Sequence, residues 1–600
     1  MNRSHVAALI TACCVALVSH SVPGAAQDNW RPFADRDAER ARAQERAAQQ
    51  PWGSPTPQQP WGSSSPIERT PLPSVVPAPI SRSELAPAMS NDGSGLPFDL
   101  WTGLDLQTTE QSMARLELPP LSPTMHGLWR RLMTSTSGTP AGANQAVFTA
   151  IQAEALYRSG LFEPLADVLA RAPAAETTPI FEALEARRAV AVGQVDQGCQ
   201  GVKNAAARKD GLPPSLRGEI LALAGYCAAA AGNASAASLA GELAREEGLD
   251  DPVMLAALDA VAAGRAVRLP KSGRIGPSQY RVIALSKQYD VAAVLQRAEA
   301  ALLAALVIDP ATDDRLRLAA AEAAARLNAI DAKGLVQAWR GQRFSPQDLA
   351  DPLSAQGDPA LRRALLFQAA ETERHPARRA QILRALLDDA RRAGIYLPAL
   401  ISVAPLIGPP PRSPDGAAFG ELAIEAALAN GDHAQVHAWV AALNAYGNSS
   451  PLHHWLALSD IADPNPNVHR GASLGAVEDL ARRGRFSVPV LHRLATVLDA
   501  LDYQVPMGLW EISSNTPQPN DGHLPETGVL AQLKEASSRK EFGRTVLLTM
   551  RALGSKGAEG AHIIALGDAI RALRTVGLEA EARRIGFEAL FAAWPRSASH

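Results

Sequence analysis

Five times along this chain a glycine breaks a helical apolar pattern and a new helix begins a few residues later. Gly160 is followed at the fifth position by Leu165, Gly232 by Ala237, Gly431 by Val436 and Gly577 by Ala582. The stretch AVAVGQVDQGCQGV places Gly193 in the same way. A glycine at a helix end takes the left-handed conformation that closes a helix, because it has no Cβ to clash. Asn233 and Asp432, directly after two of these glycines, supply the side-chain acceptor that starts the next helix. The small or apolar residue then faces back onto the preceding helix. Each step therefore predicts an αα-hairpin. From about Leu100 onward the apolar positions recur at intervals of three and four, with no alternating strand pattern.

Composition agrees with close helix packing. Alanine fills roughly one position in five, and it is the best helix former with no side-chain entropy to lose. Aromatics make up 5% of the chain. The formal net charge is −3 over 600 residues, which offers no basic footprint for nucleic acid and no basic patch for a lipid surface.

The N-terminus reads as an export signal. Arg3 gives a positive start, Val6 to Ser19 an apolar stretch and Gly24-Ala25-Ala26 a small-residue cleavage site, so residues 1–26 are expected to be a cleaved signal peptide leading to the periplasm. Ile10-Thr11-Ala12-Cys13 is a rival, resembling a lipobox in which Cys13 would be lipidated. No other stretch is apolar for long enough to be a transmembrane helix. Residues 27–98 read as a disordered spacer. A charged run (34–48) is followed by two copies of QQPWGS, at 49–54 and 58–63, and eleven prolines fall between Pro51 and Pro97. Proline at that density favours an extended polyproline chain, with a reach on the order of 140 Å. Trp52 and Trp61 are either aromatic docking points or stray indoles on that spacer. The helical region divides at the Pro-rich break 406–416 into parts 99–405 and 406–600, with a second break at 463–471 and the longest interruption at 503–528.

Outside its first twenty residues the chain keeps only Cys199 and Cys227. The first lies early in one expected helix and the second late in the next, with a turn at Lys209 to Pro213. At 1.5 Å rise per residue they stand roughly 15 and 21 Å from that turn, at similar height on facing helices. An oxidising compartment would join them as a structural disulfide. No CxxC is present for redox chemistry or zinc.

The first three glycine steps are 33 and 39 residues apart, either side of the tetratricopeptide period. The step resembles that motif, although its Trp, Tyr and terminal Pro positions are not regularly filled. The predicted fold is therefore all-α: a degenerate tetratricopeptide-like α-solenoid of stacked hairpins, preceded by the Pro-rich segment. The stretch from GCQGVKNAAARKDGLPPSLRGEILALAGYCAAAAGN to GLDDPVMLAALDAV resembles a segment of secreted, Ala-rich helical proteins of Gram-negative bacteria. LELPPLSPTMHGLWRRLMTS (116–135) and ALRRALLFQAAETERHPARRAQILRALL (360–387) resemble other parts of them. Some carry an antifreeze-glycopeptide-like label, but the Ala-Ala-Thr repeats it implies are absent here. The resemblance implies a secreted helical protein and carries over no catalytic residue.

Catalytic motifs are missing. An Ala-rich helical chain of this length invites comparison with soluble lytic transglycosylases, yet their catalytic Glu-Ser motif does not occur, nor does a GxSxG elbow or a phosphate-binding loop. One constellation remains. His433 and His437 are four residues apart on one expected helix, and His453 and His454 follow closely. A face-sharing pair is half of a zinc or copper site, to which Asp432 or Asp460 could add an oxygen, but HAQVH lacks the glutamate of HExxH. These four residues are weak candidates, and no catalytic residue, metal ligand or cofactor is assigned. The expected function is a non-enzymatic periplasmic scaffold that binds an envelope protein or peptide on the solenoid's concave face. The alternative is a metal-binding or cell-wall-modifying enzyme centred on the histidines, and convergence of those side chains separates the two.

Overall fold

The computed structural model describes residues 89, 92–172, 179–286, 288–410, 418–445, 452–465 and 470–596. The expected signal peptide, Cys13, the charged run and the QQPWGS repeats lie outside them. The described residues all belong to one compact unit. Among the described residues there are 29 α-helices and no β-strand, only isolated bridges. None of these helices is long and apolar enough to cross a membrane. The packed body starts slightly before the expected boundary at residue 98, since Leu96 is already fully buried.

The glycine steps close helices as the sequence dictates. Gly160, Gly193, Gly232, Gly431 and Gly577 have φ of 73°, 86°, 79°, 71° and 90°. After each, the next amide reaches back five residues to close a Schellman turn, as in Asn233 N to Ala228 O at 2.8 Å and Asp432 N to Ala427 O at 2.9 Å. Asn233 and Asp432 then cap the following helices through Ala236 N and Gln435 N, both at 3.0 Å. Leu165, Ala237, Val436 and Ala582 are all buried. Gly198, at the same step after Gly193, is packed so closely that a Cβ there would lie 2.6 Å from the Val190 side chain.

Successive helices pack in chain order, for example Pro179–Ala191 on Val195–Ala207 and Pro359–Thr372 on Pro376–Arg392. Strict nearest-neighbour stacking, as in an open repeat array, is not the whole arrangement. The last helix, Glu579–Phe591, packs on Pro123–Thr134 near the start of the body and also on His453–Ala462 and Val488–Ala500. Gly543 N donates to Leu100 O at 2.9 Å, and a Cβ at Gly543 would lie 2.6 Å from that oxygen. The first and last segments thus hold each other directly. Gly543→Ala is expected to disrupt this contact and lower the melting temperature, which a thermal denaturation curve measures.

Cys199 and Cys227 form a disulfide, with Cα atoms 5.7 Å apart. It joins helix Val195–Ala207 to helix Pro214–Ala230, close to the helix limits read from the sequence. In the chain-entropy picture, closing a loop of this length stabilises the fold by about 3.5 kcal/mol. Denaturant titration of the oxidised protein and of a Cys199→Ser/Cys227→Ser variant is expected to differ by about that amount.

The connection 503–528 is not a bare loop. It carries helix Met507–Ser514, anchored by buried Leu509 and Ser513, and ends in a bridge in which His523 N donates to Gly560 O and His562 N to His523 O. The sequence hid this helix because Gly508 lowers helix propensity. A side chain at Gly508 would run into the Glu478 carboxylate.

Candidate functional site

Three of the four histidines take separate partners. His433 Nδ1 pairs with Ser459 Oγ at 2.9 Å, and burial holds its pKa below the usual value. His437 is exposed on the same helix, about one turn beyond His433. His453 Nε2 lies 3.3 Å from Asn444 Nδ2. His454 is buried, stacked on Trp594 with its Nε2 3.0 Å from Pro595 O. Among the described residues no group of three or more His, Cys, Asp or Glu side chains is arranged to hold a metal ion. His454 serves to seat the C-terminal segment.

A different place gathers charge. Six segments converge on a cavity of about 250 Å³ in the N-terminal half. Helix Gln145–Arg158 brings Tyr157, helix Pro179–Ala191 brings Arg187, and helix Pro214–Ala230 brings Ser215 and Glu219. The turn before Pro252–Ala262 contributes Asp250 and Asp251, the start of Pro277–Leu285 contributes Ser278 and Gln279, and Glu299 stands before Ala300–Ile308.

Arg187 organises the floor. It pairs with Glu154 and, through Nε at 2.9 Å, with Glu219, while its guanidinium carbon lies 3.7 Å above the centre of the Tyr157 ring. Burial works against its charge, but the two carboxylates outweigh that and raise its pKa well above the ordinary value. Burial raises the pKa of Glu219 against the opposing pull of Arg187. Ser278 Oγ donates to Glu219 at 2.9 Å. Burial likewise raises Glu299, with Arg274 and Arg187 acting in the other direction, and pushes the Tyr157 phenol up to about 12. Asp251 caps its helix through Met254 N at 2.8 Å and accepts from Gln279 Nε2 at 2.6 Å. Both side chains lie close over Gly276, where a Cβ would sit 2.9 Å from Gln279 Oε1 and 3.0 Å from the Glu299 carboxylate.

Sequence reasoning missed this cavity. Asp251 and Glu299 each stand directly before a helix, where an acid commonly caps. Glu219 is a single acid within an apolar run, and that isolation was the one available signal. A second cavity, of about 260 Å³, lies where Ser122 and Met125 meet His523, Glu526 and Arg551, so the 503–528 connection does line a cleft. Comparison of the chain with protein-family models, with curated proteins and with solved structures finds no match.

Proposed function

We propose that this chain is a non-enzymatic periplasmic interaction scaffold of the bacterial cell envelope. The observation that carries the reading is an apolar pair on the short helix of the 503–528 connection. Met507 is 74% exposed and Trp510 37%, one turn apart, while Leu509 and Ser513 anchor the helix from its other side. Methionine and tryptophan are enriched in interface cores and tryptophan in binding hot spots. The disulfide fits an oxidising compartment, and the export signal expected from residues 1–26 leads there.

Replacing Met507 and Trp510 by serine tests this. The exposed Met507 contributes little to the fold, so Met507→Ser alone is expected to change stability by no more than about 0.5 kcal/mol. After mild detergent extraction the wild-type chain is expected to sediment with a high-molecular-mass envelope fraction, and the double variant to leave it. Wild-type protein that sediments alone would contradict the scaffold reading.

A further inference from the structure

We infer that the cavity where Met125 and Arg551 meet the 503–528 connection binds a small carboxylate with an apolar body. The ligand is either a free aliphatic acid or the C-terminal end of an apolar peptide. Neither Met507 nor Trp510 lines this cavity, so the site stands apart from the proposed docking pair.

Depth separates the charges at this place. Arg551, in the last turn of helix Phe542–Leu553, has a side chain 15% exposed, whereas that of its ion-pair partner Glu526 is 76% exposed. The pair uses one guanidinium nitrogen, Nη2, at 2.6 Å, and among the described residues the Arg551 side chain makes no second hydrogen bond. A guanidinium carries five N–H donors in a planar fork. The unbonded nitrogens are not sealed inside the protein, and Arg551 lines the cavity. Arg115, directly after helix Leu106–Ala114, is exposed at the rim, and its charge acts on Glu526 alongside that of Arg551.

The rest of the wall is apolar. Leu116, Met125, Met550 and Leu553 are each 7% exposed or less, and Leu524, 56% exposed, stands over them from the connection. Together these features decide the class of ligand. A carboxylate accepts two parallel bonds from an arginine fork, and an apolar tail covers the leucine and methionine surface. A protonated amine would find acids only on the exposed side, at Glu117 and Glu526, and would meet Arg551 within. The two helix ends carry partial negative charge, which the two guanidinium groups offset. The volume of about 260 Å³ is just below the usual range for small-molecule pockets, so a short chain fits better than a bulky one.

Titration calorimetry of the oxidised full-length protein with hexanoate, and with hexanamide as the uncharged control of equal length, tests this. Hexanoate is expected to bind saturably at one per chain, and hexanamide at least about tenfold more weakly. Arg551→Lys keeps the charge but loses the planar fork, and is expected to weaken hexanoate about tenfold. Arg115→Gln, at an exposed position, is expected to weaken it less while keeping the wild-type melting temperature. Should Arg551→Lys fail to fold, Arg115→Gln still decides. N-acetyl-leucyl-leucine separates the two sources: binding tighter than hexanoate marks a peptide end and weaker binding a free acid, and either order supports the shared chemistry. Absence of saturable hexanoate binding, equal binding of hexanamide, or wild-type affinity in both variants would overturn the assignment.

Discussion

A chain ended at Leu578 is expected to be recovered aggregated or unfolded, not as a protein shorter by one helix. In an open repeat array a terminal helix touches only its neighbour, and its loss removes one interface. Here the last helix holds segments from across the sequence. Glu588 accepts from Ser122 Oγ at 2.5 Å and from Thr124 N at 2.8 Å, and Glu581 pairs with Arg131. Arg584 donates to Leu428 O and Ala429 O at 2.8 and 2.6 Å. Arg583, 2% exposed, reaches Asp460 O and the Tyr503 hydroxyl. Beyond the helix, Trp594 is 1% exposed between His454 and Phe486. Truncation would leave buried carbonyls and apolar surface uncovered at every one of these places. The single change Trp594→Ala is expected to cost about 3–5 kcal/mol, since it opens a large cavity. Circular dichroism and size exclusion read the outcome. A monodisperse truncated chain melting within a few degrees of wild type would show that the ends do not support each other.

Arg363→Met is the second large effect, expected to destabilise the fold by about 3–5 kcal/mol. Arg363 and Glu322 are each 7% exposed and form a two-pronged ion pair, with Nε to Oε1 at 2.8 Å. Trp339 Nε1 adds a hydrogen bond to the same carboxylate at 3.2 Å. These groups join helices Asp314–Arg326, Ala332–Arg340 and Pro359–Thr372. Methionine replaces the volume of the arginine but strands the glutamate without its counter-charge, and the stranded charge is what costs. Replacing both partners, Glu322→Leu with Arg363→Met, removes the charge along with its need for a partner. The double variant is expected to recover much of the loss in a denaturant titration. A single variant costing under about 1 kcal/mol would mean that water reaches Glu322.

Local features were legible in the sequence, and distant ones were not. The glycine steps, the Asn233 and Asp432 caps and the Cys199–Cys227 pairing depend on residues near one another in the chain, so their spacing carries the geometry. Ser122 and Glu588 are joined only by the tertiary fold, and neither sits in a pattern that announces the other. Nor does an acid before a helix say whether it will cap, as Asp251 does, or turn into a cavity, as Glu299 does. In the histidine cluster, spacing along the chain places His433 and His437 on one helix, whereas only the tertiary fold turns His454 inward to Trp594.

The most direct measurement is photocrosslinking in intact cells, with a photoreactive amino acid in place of Met507 and, as control, in place of the exposed Glu242 on another surface. The scaffold reading expects one discrete adduct from position 507, containing an envelope protein, and none from position 242. The same adducts from both positions, or none from either in cells that export the protein, would contradict it.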